Sequence, residues 1–266
     1  MEDKLLYQWD REIGAVEKIA RKAGQIALQY WNQGIIAETK SDYSPVTVAD
    51  KECERTISRL LEEAFPEDGL LGEEGSAKTS RNGRRWIIDP IDGTRDFLRG
   101  NRVWSVLIGL EAQGEVVAGV SFFPAMDEAF TAAKGAGAFC NGSPIHASSI
   151  TSAREAVLCV NGLNNVSKAG LSAGLIEWME QFWAVRSMGG CLDAMMVAHG
   201  QADLWIEIAG QPWDFAPLKI IGEEAGAKFF NFDGGASIYA GNCVMCAPGM
   251  EEMARRFVKC TRVEDQ

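Results

Sequence analysis

Apolar residues recur every three or four positions between about Glu12 and Trp31, and Val16, Ile19, Ala20, Ala23, Ile26, Ala27 and Tyr30 share one side of the helix this spacing predicts. A second stripe, Cys53, Ile57, Leu60, Leu61 and Ala64, predicts a helix from about Val48 to Ala64. Thr47, followed three residues later by Asp50, forms a capping box at its start. Beyond Pro66, the stretch from Glu67 to Gly83 is rich in glycine, serine and charge and predicts a loop. Trp86-Ile87-Ile88 is a short apolar strand that should stop at Pro90, because proline brings no N–H to a central ladder. Val103 to Leu110 and Val116 to Phe123 predict two strands of a hairpin, and Asn141-Gly142 marks another tight turn. From Ala156 onward, strand-like stretches at 156–160, 203–208, 227–232 and 242–247 alternate with helical patterns near 170–180, 190–199, 214–225 and 250–258. The pattern predicts an α+β chain, antiparallel in about 1–145 and layered α/β in about 146–266. No internal repeat or Pro- or Ser-rich linker separates the halves, so residues 1–266 are expected to form one domain of two subdomains.

Composition narrows the functional classes. At 266 residues, 47% hydrophobic and 24% charged, the chain suits a folded globular protein. Its formal net charge of -11 opposes binding to nucleic acid or anionic membrane, since phosphate contacts need clustered Lys and Arg. If such a chain holds a phosphate ester, positive charge must come from somewhere local, and a divalent cation held by carboxylates is one source. Met1 to Asp10 has no apolar stretch of signal-peptide length, and no segment reaches the ~20 apolar residues of a membrane span, so a cytoplasmic location is expected. Seven cysteines scattered through apolar segments read as reduced buried thiols. Cys243 and Cys246 have C-x-x-C spacing, but Val244 and Met245 between them point to a buried strand rather than a zinc site.

The strongest chemical signal is Asp89-Pro90-Ile91-Asp92-Gly93-Thr94, which sets two carboxylates at a strand end and follows them with a glycine and a hydroxyl. Mg²⁺ prefers hard oxygen donors, and two acids around a rigid proline can share or straddle such ions. Gly93 and Thr94 could open a helix whose amides face an anion. The alternative for each acid is structural: Asp89 and Asp92 as turn and cap residues, Glu73 and Glu74 as solvated loop acids, Asp214 as an N-terminal helix residue favoured by the macrodipole. All of them fall at element ends, where α/β folds place ligands.

The runs Gly72-Glu73-Glu74, Trp86-Ile87-Ile88-Asp89-Pro90-Ile91-Asp92-Gly93-Thr94 and Trp213-Asp214-Phe215-Ala216 resemble, in order and separation, the signature motifs of the inositol monophosphatase family. The similarity runs from Pro45-Val46-Thr47-Val48-Ala49-Asp50 through Glu223-Ala225-Gly226. It implies a layered αβαβα sandwich and a Mg²⁺-dependent phosphomonoesterase acting through activated water, without a covalent phosphoenzyme. Glu73, Asp89 and the Ile91 carbonyl would hold one Mg²⁺, and Asp89, Asp92 and Asp214 a second. A third, weaker ion would use Glu73 and water. Thr94 and Asp50 would orient and deprotonate the water, with helix capping the competing role for Asp50. Glu74 would position water, and the amides of Gly93 and Thr94 would bind phosphate.

In inositol-specific members an acid seven residues before the last motif Asp receives a substrate hydroxyl. Glu207 takes that place, with Gly189 and Gly190 lining the same pocket, so inositol 1-phosphate is the leading substrate. Pro45-Val46-Thr47, Arg95-Asp96-Phe97-Leu98-Arg99-Gly100 and Trp104 also resemble histidinol-phosphate phosphatases of this type, but those tend to carry an acid near the Gly190 position for the substrate amine. The resemblance further implies a homodimer. Two rivals remain: a haloacid dehalogenase-like phosphatase, disfavoured because Asp89 and Asp92 are three apart rather than two, and a non-catalytic metal-binding protein.

Overall fold

The computed structural model describes residues 8–33, 38–39, 45–172 and 174–260. Helix α1 (Asp10–Gln33) is followed by a small antiparallel pair, β1 (Glu38–Thr39) and β2 (Pro45–Val46), and by α2 (Val48–Ala64). Then come β3 (Gly69–Gly72), β4 (Ala77–Lys78), β5 (Arg84–Asp92), the short α3 (Thr94–Leu98), β6 (Ser105–Ala112), β7 (Glu115–Phe123), β8 (Glu128–Ala133), β9 (Gly137–Cys140) and β10 (Ser143–Ile145). The second half holds β11 (Val157–Asn161), α4 (Leu175–Met179), β12 (Ala184–Arg186), α5 (Gly190–Ala198), β13 (Leu204–Glu207), α6 (Pro212–Glu224), β14 (Lys228–Phe230), β15 (Cys243–Cys246) and α7 (Glu251–Cys260).

The strands form an eight-stranded sheet, β10-β9-β8-β7-β6-β5-β3-β4, and a five-stranded sheet, β12-β11-β13-β15-β14. Alternation along each strand decides what lies on either face. Val106, Ile108 and Leu110 of β6 join Trp86, Ile88 and Val120 against Val16, Ala20 and Ala23 of α1 and Cys53, Ile57 and Leu61 of α2. Leu107, Ile87 and Phe123 face the other way, onto Phe215, Ala216 and Ile220 of α6, and that layer also takes Cys159, Trp205 and Met245 from the second sheet. Leu158, Ile206 and Val244 then turn outward to Trp178 of α4 and Phe257 of α7, whose rings stack at 4.1 Å. The result is an α+β sandwich layered αβαβα. Among the described residues no helix is long and apolar enough to cross a membrane.

Helix α6 lies against the first sheet because two glycines leave room for it. Gly109 and Gly119 are register partners on β6 and β7. A Cβ at Gly109 would sit 2.9 Å from the Ala216 Cβ, and one at Gly119 would sit 2.8 Å from both Pro217 Cα and Ile220 Cγ2. Gly119→Ala is therefore expected to destabilise the fold by about 2 kcal/mol through overpacking, lowering Tm by about 4–8 °C for a chain of this size. A thermal melt checks it, and an unchanged Tm would show that α6 is free to move away from the sheet.

The structure differs from the sequence pattern in three places. The stretch Glu67–Gly83 is not all loop, since β3 runs parallel to β5 and β4 pairs antiparallel with β3. Strand β5 continues past Pro90, which its neighbours tolerate: pairing to β3 ends at Ile88↔Gly72, and on the β6 side the register jumps from Asp89↔Leu107 to Asp92↔Ser105. Pro90 thus sits in a bulge where no ladder N–H is required. The pattern near 170–180 yields only the short α4.

Candidate active site

The bulge in β5 turns Asp89 and Asp92 toward the start of α6. Asp89 is buried, and its Oδ1 accepts the Ile91 amide at 3.0 Å, the turn role that an Asp before Pro often plays. Asp214, the third residue of α6, closes the capping box at its start, its Oδ2 accepting the amide of the N-cap Gln211 at 2.7 Å. These structural roles do not exhaust the side chains. One carboxylate oxygen from each of Asp89, Asp92 and Asp214 lies within 4.8 Å of the other two. Glu73 is brought beside them by the parallel pairing of β3, whose last step is the Glu73 amide donating to the Ile88 carbonyl at 3.1 Å.

Like charges held this close resist ionisation. Burial, and then the charges of Glu73, Asp92 and Asp214, push the Asp89 carboxyl well above the ordinary carboxylate range. Burial and Asp92 do the same to Asp214. Burial also raises Asp92, although the Cys191 thiol donates to it. An all-oxygen set of acids that repel one another unless protons or cations intervene fits a hard divalent cation.

Asp89, Asp92, Asp214 and Glu73 line a cavity of about 360 Å³ together with Ile91, Gly93, Thr94, Gly189, Gly190 and Glu207. Thr94 donates its hydroxyl to the Ile91 carbonyl at 3.2 Å, leaving a second lone pair on that oxygen. Gly93 has φ 88°, and a Cβ there would meet the Val103 carbonyl at 2.8 Å, so only glycine makes this turn.

Asp50 and Glu74 stand outside the cavity lining. The Asp50 Oδ2 completes the capping box by accepting the Thr47 amide at 2.8 Å and the Thr47 hydroxyl at 2.5 Å. Its Oδ1 is buried without a partner, and burial raises its pKa, with the charge of Glu73 adding to the shift.

On the second sheet, Glu207 at the end of β13 is 5% exposed. Its Oε2 accepts the Asn161 side-chain amide at 2.6 Å, and burial raises its pKa to about 8. Asn161 and Glu207 are register partners on parallel strands. Sequence reasoning missed Asn161, although a polar residue closing the apolar run 157–160 before Gly162 was a signal. It also missed Glu54, which is 2% exposed and accepts the Glu74 and Ser76 amides at 2.7 Å each. Glu54 lies four residues after Asp50 and three before Ile57, on the buried side of α2.

Residues 9–262 match the model of the inositol monophosphatase family. The chain belongs to that family. It is 38% identical over 240 residues to a histidinol-phosphatase of Chlorobaculum parvum, spanning 86% of this chain and 89% of that one. It is 33% identical over 246 residues to an inositol-1-monophosphatase of Rhizobium meliloti, spanning 91% and 89%. Among solved structures, a Thermotoga maritima IMPase superposes with a TM-score of 0.86 at 30% identity, covering 95% of this chain and 98% of its own. The protein is a phosphoric monoester hydrolase of the inositol monophosphatase family, whose enzymes use divalent metals. The haloacid dehalogenase-like alternative falls with that membership.

Proposed function

We propose that the enzyme hydrolyses the phosphomonoester of a small polar alcohol, with histidinol phosphate ahead of inositol 1-phosphate. The observation that carries this reading is that Glu207, placed in sequence like the acid of inositol-specific members, brings its carboxyl to the Gly190 position. A Cβ built at Gly190 would lie 3.0 Å from both the Glu207 Oε2 and the Asn161 Nδ2. The acid that histidinol-phosphate phosphatases tend to carry near this position is thus supplied from β13, and the glycine makes room for it. Burial holds Glu207 neutral up to about pH 8, and an ammonium group in the cavity would favour its ionised form and gain a charge-assisted bond that a neutral hydroxyl does not make. The name of the Chlorobaculum parvum relative supports the same substrate, and that of the Rhizobium meliloti relative keeps inositol 1-phosphate as the second reading.

In this proposal Glu73, Asp89, Asp92, Asp214 and the Ile91 carbonyl hold two or three Mg²⁺ ions. When bound, the ions supply positive charge to the phosphoryl oxygens and acidify a water. The remaining tasks belong to the chain. The Gly93 and Thr94 amides receive the phosphate. Thr94, its proton engaged by the Ile91 carbonyl, turns its lone pairs toward the attacking water. Asp50 lies outside the cavity lining with its Oδ1 unpaired, so it would take the water's proton through one intervening water, a role suited to a carboxylate with a raised pKa. Glu74 positions that water, Glu207 and Asn161 orient the alcohol portion, and Gly189 with Gly190 forms the wall beside it.

The test is phosphate release from histidinol phosphate, inositol 1-phosphate, fructose 1,6-bisphosphate and 3′-phosphoadenosine 5′-phosphate, with and without Mg²⁺. Preference for histidinol phosphate is the expected outcome, and no release from any of them would sink the proposal. Glu207→Gln is expected to raise KM for histidinol phosphate about tenfold, the loss of a charge-assisted bond, with kcat nearly unchanged. If kcat fell instead and KM held, Glu207 would belong to the chemistry and not to recognition.

A further inference from the structure

We propose that Glu54 is a positioning residue that sets the turn Gly72–Ser76, and through it the Glu73 carboxylate, for cation binding. The proposal rests on the reading of Glu73 as a ligand.

The turn is held from two sides. On one, the Glu73 amide donates to Ile88 of β5 at 3.1 Å, and the Gly72 amide donates to the Ser76 carbonyl at 2.8 Å. On the other stands α2. Glu54 Oε2 accepts the Glu74 amide and Oε1 accepts the Ser76 amide, each at 2.7 Å, so both oxygens of one buried carboxylate grip alternate amides of the turn. One helical turn further along, the Ser58 hydroxyl donates to the Ser76 hydroxyl at 2.8 Å. One turn earlier, Asp50 is close enough for the charge of Glu73 to act on it. Positions 50, 54 and 58 therefore present a polar row, spaced by four, to a turn 20 residues away in sequence.

Gly72 shows how closely the carboxylate sits. A Cβ there would meet the Glu54 Cδ at 2.5 Å and both of its oxygens at 2.6 Å. Gly72 is a strand residue without positive φ, so its lack of a side chain serves this approach and not a left-handed turn. A buried carboxylate with two charge-assisted backbone bonds is strong and directional. Partners that hold ligands in place typically change metal affinity by 10–100-fold when removed.

The experiment compares wild type with Glu54→Gln, Gly72→Ala, the double variant and Glu73→Gln. It measures the Mg²⁺ concentration giving half-maximal phosphate release and, separately, Mg²⁺ binding by calorimetry on metal-free protein. Glu54→Gln keeps the size of the side chain but places an amide NH₂ against a backbone N–H, and Gly72→Ala pushes the intact carboxylate away. Each is expected to raise the Mg²⁺ midpoint and the calorimetric Kd about tenfold, with a smaller change in turnover at saturating Mg²⁺. The double variant is expected to be no worse than the poorer single one, since both act through one contact. A merely structural defect would lower the melting temperature and leave the midpoint in place. A shifted midpoint in Glu73→Gln with wild-type midpoints in Glu54→Gln and Gly72→Ala overturns the positioning role alone. An unshifted midpoint in Glu73→Gln overturns the ligand reading beneath it, and the proposal with it.

Discussion

Asp92→Asn is expected to lower phosphate release by on the order of 10³-fold while making the metal-free protein more stable at pH 8. The loss follows from the position of Asp92 in the cluster: one of its oxygens lies within 4.8 Å of an oxygen of Asp89 and one of Asp214, and an amide cannot replace its charge toward a cation. A factor of 10³ is about 4 kcal/mol of transition-state stabilisation, the scale expected for electrophilic assistance to a phosphoryl group. The gain in stability has the same origin. With no cation present, the Asp92 charge is opposed by burial and by Glu73, so removing it relieves a cost of about 1 kcal/mol after discounting for solvent screening. Phosphate release and a melt in chelator check the two halves. Activity within tenfold of wild type would remove Asp92 from the metal site.

The second large effect is a pH-dependent stability that Mg²⁺ reverses. A carboxyl whose pKa in the fold lies above its unfolded value stabilises the fold while protonated. That contribution is complete below the unfolded value, near pH 4, and is lost as pH rises through the folded one. Asp92 is raised to about 6, Asp214 to about 7 and Glu207 to about 8, and Asp89 is raised as well. Metal-free protein is therefore expected to lose stability steadily from about pH 4 to pH 8, by on the order of 10 °C in Tm. Mg²⁺ binds the deprotonated cluster and competes with protons, so its stabilisation should grow over the same range. Melts at pH 5, 6, 7 and 8, with chelator or with millimolar Mg²⁺, measure both trends. A Mg²⁺-induced shift equal at pH 5 and pH 8 would mean that these acids do not bind the ion.

Much of the candidate site was legible in the sequence because its residues carry local signals. Asp89-Pro90-Ile91-Asp92-Gly93-Thr94 announces itself through a proline and a glycine that the bulge and the left-handed turn both need. Thr47 and Asp50 form the capping box that their spacing predicts, and Cys243 and Cys246 are buried in a strand. What escaped depends on pairing between distant segments. Asn161 matters because parallel register sets it beside Glu207, 46 residues later, and no local pattern encodes that register. Glu54 sits among Glu52, Arg55 and other charges that mark a solvated helix face. Only the turn arriving from residues 72–76 makes it an interior residue. The strands β3 and β4 were hidden because short edge segments with Gly and Ser have the composition of a loop, and they gain their ladder only from β5.

The two halves of the cavity come from different parts of the chain. Glu73, Asp89, Asp92 and Thr94 stand on or beside the first sheet, Asn161 and Glu207 stand on the second, Gly190 opens α5, and Asp214, in the first turn of α6, joins the first group from the second half of the chain. Under the proposed roles, what is done to phosphorus and what is chosen as its alcohol are inherited separately. Residues 161, 190 and 207 could then change the alcohol accepted while the proposed cation ligands are kept, although the charge of Asp214 acts on Glu207 and ties the two groups together. Each such exchange is constrained by the room at Gly190, where an added Cβ would stand 3.0 Å from the Glu207 Oε2 and the Asn161 Nδ2. The same partition gives a designer a place to begin: specificity can be redrawn at three positions on the second sheet and α5 while the charge cluster is left alone.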